Sequence, residues 1–167
     1  MPNKLFSGII GNNLMKRERI TELVDLVRAT LETAQKSAEK TKSDAEGIEK
    51  DTARSFSSGG DRFHSRAQAE ITAANVSNIK YLLEELEKAC EKEIPETVKP
   101  VCIATITSTA SSGDFVLVNN PVYLRSSLKL ISPHSPLGKA LIGKSKGQKF
   151  SYTTDLGEVK GEVVDIG

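Results

Sequence analysis

Three features of the chain predict an α+β protein, in which a long antiparallel α-helical hairpin precedes a small mixed domain. Ile20, Val24, Val27, Leu31, Ala34, Ala38, Thr41, Ala45 and Ile48 step by four and three, the spacing of a coiled-coil seam. A second seam runs Ala69, Thr72, Val76, Ile79, Leu83, Leu86 and Cys90. From Val101 onward the helical period gives way to short runs rich in Val, Ile, Thr and Phe. Ser, Gly, Asn and Pro punctuate these runs, as expected of strands.

Residues 1–15 show no clear period and read as an N-terminal extension. The hairpin is assigned to residues 16–96, with its tip at about 56–61, because Ser57-Ser58-Gly59-Gly60-Asp61 is too small and flexible to continue either helix. A short loop between two long helices makes them fold back on one another. Each arm would extend on the order of 50 Å. The seams use Leu, Ile and Val near the base and weaken to Ala and Thr towards the tip, with Gly47 inside the first arm. Less apolar area per layer predicts that the distal third is the softest part.

Asp61 follows two glycines and immediately precedes the second helical pattern, the place of a helix N-cap. Glu49 and Asp51 lie on the first arm within about two turns of the loop. Arg54 and Arg62 stand close enough in sequence to pair with them at the surface. His64, at the start of the second arm, reads as an exposed histidine.

Pro95 and Pro100 bracket the change of period, since neither suits a helix interior. The second domain is therefore assigned to residues 97–167. Its strands are expected over Val101–Ile106, Phe115–Val118, Val122–Leu124 and Leu128–Ile131, with breaks at Ser111-Ser112-Gly113-Asp114 and Asn119-Asn120-Pro121. Ser135 can cap a helix, Pro136 suits its first turn, and Gly143 ends it. Phe150, Tyr152 and Thr154 alternate before Asp155-Leu156-Gly157, which predicts a hairpin with a three-residue loop.

Composition narrows the function. With 38% hydrophobic and 27% charged residues, the chain reads as soluble, and no run approaches a membrane span. Cys90 and Cys102 lack metal-ligand spacing and read as reduced packing residues of a cytoplasmic protein. A nucleophile elbow, a metal cluster and a phosphate-cradling glycine loop are all missing from the pattern. Lys144-Ser145-Lys146-Gly147 reads as a solvated turn. Charge is divided: residues 16–96 hold 14 Lys/Arg against 17 Asp/Glu, whereas residues 97–167 hold 8 against 5. The basic second domain favours contact with nucleic acid or an acidic protein surface.

The run Ile131-Ser132-Pro133-His134-Ser135-Pro136-Leu137-Gly138-Lys139-Ala140-Leu141-Ile142-Gly143-Lys144 resembles the C-terminal signature of the GreA/GreB transcript-cleavage factors. Gly147, the Phe150–Thr153 strand and the closing Val163-Val164-Asp165-Ile166 fit the same pattern. The resemblance implies an FKBP-like C-terminal fold and a monomeric regulator of RNA polymerase that is not itself an enzyme. In such factors the globular domain docks at the secondary channel, and a coiled-coil finger enters it and comes near the nascent RNA. Acids at the fingertip help hold a Mg²⁺ shared with the polymerase active site, the factor having no cofactor of its own. The contact residues implied here are Ser132, Pro133, His134, Ser135, Pro136 and Leu137.

The family fingertip reads roughly Gly-Asp-Leu-x-Glu-Asn-x-Glu-Tyr, with an acidic pair three positions apart. This chain has Phe56-Ser57-Ser58-Gly59-Gly60-Asp61-Arg62-Phe63-His64, and neither register keeps both acids. Asp61 is the candidate for the catalytic metal, with Asp51 and Glu49 as weaker ones, and the missing partner speaks against strong cleavage. Two rival readings remain: a peptidyl-prolyl isomerase, from the FKBP-like fold, and a coiled-coil adaptor that dimerises through its seams.

Overall fold

The computed structural model describes the backbone over residues 4–52, 59–90 and 93–167, and side chains over 18–47, 63–90 and 93–167. Two helices come first, α1 (Lys4–Thr52) and α2 (Gly59–Cys90). They are followed by β1 (Ile103–Ser108), β2 (Ser112–Leu117), β3 (Lys129–Ile131), α3 (Pro136–Leu141), β4 (Lys149–Thr154) and β5 (Gly157–Ile166). This is the α+β plan that the seams and the change of period predict.

The helices pair as an antiparallel hairpin, with Arg28 donating to Glu87 across it at 2.7 Å. That bond holds the Arg28 guanidinium above its ordinary pKa. Ile20, Val24 and Val27 are buried, whereas Leu31, Ala34, Ala38, Thr41 and Ala45 are only half-covered. The seam positions are therefore the covered ones, and the cover thins towards the tip as expected. Two details differ at the base. Leu82 is fully buried while Leu83 is only partly so, and Cys90 is exposed. Leu23, which no seam includes, is also buried.

The cause is the sheet. Leu23 and Leu82 share one apolar cluster with Ile20, Val24, Val27, Ile79 and Leu86 from the hairpin and Ile103, Val116, Val118 and Leu128 from the second domain. A sheet packed on the hairpin base covers a second flank that a heptad pattern does not mark. The two parts thus share a core.

Five strands lie in the order β3-β2-β1-β5-β4, with β2 and β3 parallel and the other neighbours antiparallel. Alternation divides the residues between two faces. Ile103 and Val116 join the hairpin cluster, while Ala104, Ile106, Phe115 and Leu117 join a second core with Leu141 of α3, Phe150 and Val163. Between Thr105 and Ile106 the pairing with β5 shifts, passing from Asp165 to Val163. Val164 falls at this bulge and is exposed.

Several local expectations are corrected. The backbone of α1 is already helical from Lys4, so most of the expected extension over residues 1–15 continues the first helix. Ser112, Gly113 and Asp114 belong to β2, because Gly113 at φ 136° accommodates an irregular strand entry that reads in sequence as a turn. Val122–Leu124 is not a strand. Its apolar residues pack against the hairpin cluster without ladder partners. The β4–β5 loop has two residues, since Thr154 still pairs with Gly157.

Candidate functional site

Hydrogen bonds within residues 132–138 lock the signature loop. Ser135 caps α3, its Oγ accepting from the Gly138 N–H at 3.0 Å and donating to the Ser132 carbonyl at 2.7 Å. The Ser132 Oγ accepts from the His134 N–H at 3.1 Å. Pro136 occupies the first turn, as its missing N–H favours. Gly138 is required by packing: a Cβ there would lie 2.1 Å from the Ser132 carbonyl oxygen.

This architecture separates the six contact candidates. Ser132 and Ser135 are engaged in the loop's own bonds, Pro133 is buried, and Leu137 packs against the second core. His134 and Pro136 remain exposed. A partner would therefore meet chiefly these two side chains, on a backbone already fixed.

At the other end of the molecule, Asp61 falls in the first turn of α2, which begins at Gly59. It does not precede the helix, so the capping position is not its own; the two glycines obscured the helix start in the sequence. The side chains of Asp61, Asp51 and Glu49 lie outside the described residues, as does the segment 53–58. Phe63 is exposed, with its ring edge-on to His64 at 6.2 Å between centroids. Among the described residues no group of His, Cys, Asp or Glu could hold a metal ion, and no helix is long and apolar enough to cross a membrane.

Sequence reasoning missed the ties that hold the hairpin to the sheet. Arg19 donates to Asp114 at 2.6 Å, and the same carboxylate accepts from the Thr105 hydroxyl at 2.6 Å. Glu85 accepts from both the backbone N–H and the side-chain amide of Asn119. These partners are 95 and 34 residues apart, so no local pattern signals them. Asp114 reads in sequence as a turn residue for the same reason.

Residues 115–167 match the family model described as the C-terminal domain of the transcription elongation factors GreA/GreB. Residues 115–167 are thus similar to the GreA/GreB C-terminal domain. The matched region contains the whole locked loop, α3 and the closing hairpin. Among solved structures, the chain is similar to GreA factor homolog 1 of Thermus thermophilus. The identity is 17%, over 86% of this chain and 94% of that one, at a TM-score of 0.37. Thermus aquaticus Gfh1 is 20% identical over 90% of this chain and 93% of its own, with a TM-score of 0.37. The GreA/GreB factor of Nitrosomonas europaea is 21% identical over 60% and 91%, with a TM-score of 0.34. Likeness at these scores is loose. No curated protein matches the chain.

Proposed function

We propose that this protein is a Gre-family factor that binds RNA polymerase through its C-terminal domain and directs its hairpin into the secondary channel. It modulates elongation there as a regulator of the polymerase's catalysis. The observation that supports this reading is the locked loop within the matched domain, which presents His134 and Pro136 on a backbone held by its own hydrogen bonds. Such a loop has little conformational freedom left to lose on docking.

Cleavage of backtracked transcript is the lesser part of the proposal. A second Mg²⁺ in the polymerase site needs added carboxylate oxygens, and a two-metal arrangement stabilises both the attacking and the leaving oxygen. Asp61 is the acid retained at the tip, and Asp51 and Glu49 are the other carboxylates near it in sequence. With half the family's acidic pair, the chain would stimulate cleavage weakly or not at all. The shared Mg²⁺ would then be held chiefly by the polymerase.

The test uses the whole chain, because removing the hairpin would expose Ile103, Val116, Val118 and Leu128. Core RNA polymerase should be retained by the wild-type protein. The double change His134→Asp and Pro136→Asp should weaken retention about tenfold at unchanged melting temperature, acids being tolerated in a first helical turn. Undiminished retention would remove the loop from the docking surface. On a backtracked complex, Asp61→Asn should leave the weak cleavage unchanged. Robust cleavage abolished by that change would assign Asp61 to the metal.

A further inference from the structure

A second surface of the C-terminal domain has a charge that neither the fold nor the docking loop uses. Between the end of α3 and β4, the edge strand of the sheet, runs a groove surrounded by Lys139, Lys144, Lys149 and Lys160. Half of the eight Lys/Arg in residues 97–167 are gathered here. Lys160 pairs with the exposed Glu158 at 3.0 Å. Lys139, Lys144 and Lys149 make no ion pair among the described residues. Of the four cations elsewhere in the domain, Lys146 reaches Asp165 at 2.9 Å and Lys129 lies over the Phe115 ring, while Lys99 and Arg125 stand singly, outside the groove.

Lysines on an edge strand commonly guard it against unwanted strand pairing. That explanation fits Lys149 alone. Lys139 comes from α3, Lys144 from its exit and Lys160 from β5, so three different elements converge their charge on one place. Four cations held together repel one another at a cost to the free protein. The apolar lining is supplied by Ala140, Ile142 and Phe150, and Ile142 is 44% exposed despite its size.

We propose that this groove docks an acidic protein segment carrying an apolar side chain, with carboxylates meeting the lysines and the apolar group covering Ile142. The same charge would attract a nucleic-acid backbone, but the rest of the lining does not suit one. The groove has no arginine to fork onto phosphate, and its one aromatic, Phe150, is buried at 5% exposure and offers no stacking face. An exposed aliphatic residue between cations matches an acidic amphipathic peptide. The groove takes Lys139 and Ala140 of α3 and the helix exit, whereas His134 precedes the helix and Pro136 opens it. Neither His134 nor Pro136 lines the groove, so its use does not require the loop to dock a partner.

Titration of the isotopically labelled full chain with a capped Glu-Glu-Leu repeat peptide tests this directly, with the Lys-Lys-Leu counterpart and single-stranded oligo-dT as comparators. The acidic peptide should shift the amide signals of Ala140, Ile142 and Ser151, and its affinity should fall with added salt. Lys139→Glu with Lys149→Glu should weaken it about tenfold or more, since both side chains are exposed and their reversal converts attraction to repulsion. Ile142→Ser should weaken it less, by roughly threefold to tenfold, which isolates the apolar contribution. Affinity unmoved by the lysine reversal would overturn the proposal. So would oligo-dT binding more tightly than the peptide with the same lysine dependence, which would mark the groove as a phosphate surface.

Discussion

The base and the distal part of the hairpin follow one sequence rule and differ in what surrounds them. At the base, Val27, Leu82 and Leu86 are wholly buried, because α1, α2 and the sheet meet there. Further out, Leu31, Ala34, Thr72 and Val76 occupy equivalent seam positions and are only half-covered. Two helices alone can shield the line between them but not its margins. A partner layer, more than the seam residues, decides how much apolar area leaves water.

The largest test of that difference compares one deletion at two places. Leu82→Ala should cost about 3 kcal/mol in denaturant unfolding, and Leu31→Ala about 1 kcal/mol. Equal costs would mean that the sheet contributes nothing to the base. Next in size is the polar tie between hairpin and sheet. Asp114→Ala strands both the Arg19 guanidinium and the Thr105 hydroxyl and should cost about 1.5 kcal/mol. A double-mutant cycle with Arg19→Met should return a coupling of about 1 kcal/mol; an absent coupling would assign the loss to contacts of Asp114 other than Arg19.

The smallest effect lies in the distal arm. Gly47 is helical, and a Cβ added there meets nothing within 4 Å. Gly47→Ala should therefore stabilise by about 0.5–1 kcal/mol. The gain should appear as slower hydrogen exchange over residues 31–47, with the base unchanged. Uniform slowing along both parts would show that the hairpin opens as one unit.

Much of the architecture was legible because it obeys local periods. The four-three spacing marked Ile20, Val24 and Val27, and Ser135-Pro136 announced α3 through capping chemistry that acts within three residues. Boundaries were harder where glycine carried two meanings. Gly59-Gly60 read as loop and begins α2, while Gly113 read as turn and enters β2. The candidate loop was legible as a motif, but the motif did not say which side chains face outward. His134 and Pro136 are exposed because Ser132, Ser135 and Gly138 are occupied in holding the turn closed.

The helical hairpin, the strand-rich second domain and the capped α3 follow from local patterns, since each rests on neighbours within a few positions. Packing between distant segments brings the hairpin base and the sheet into one core, buries Leu23 and Leu82, and sets Arg19 against Asp114. It also gathers four lysines from α3, its exit, β4 and β5 around one groove. One cause underlies each case. Periodicity reports which face of an element is apolar, but burial, pairing and charge convergence depend on what the rest of the chain brings against that face.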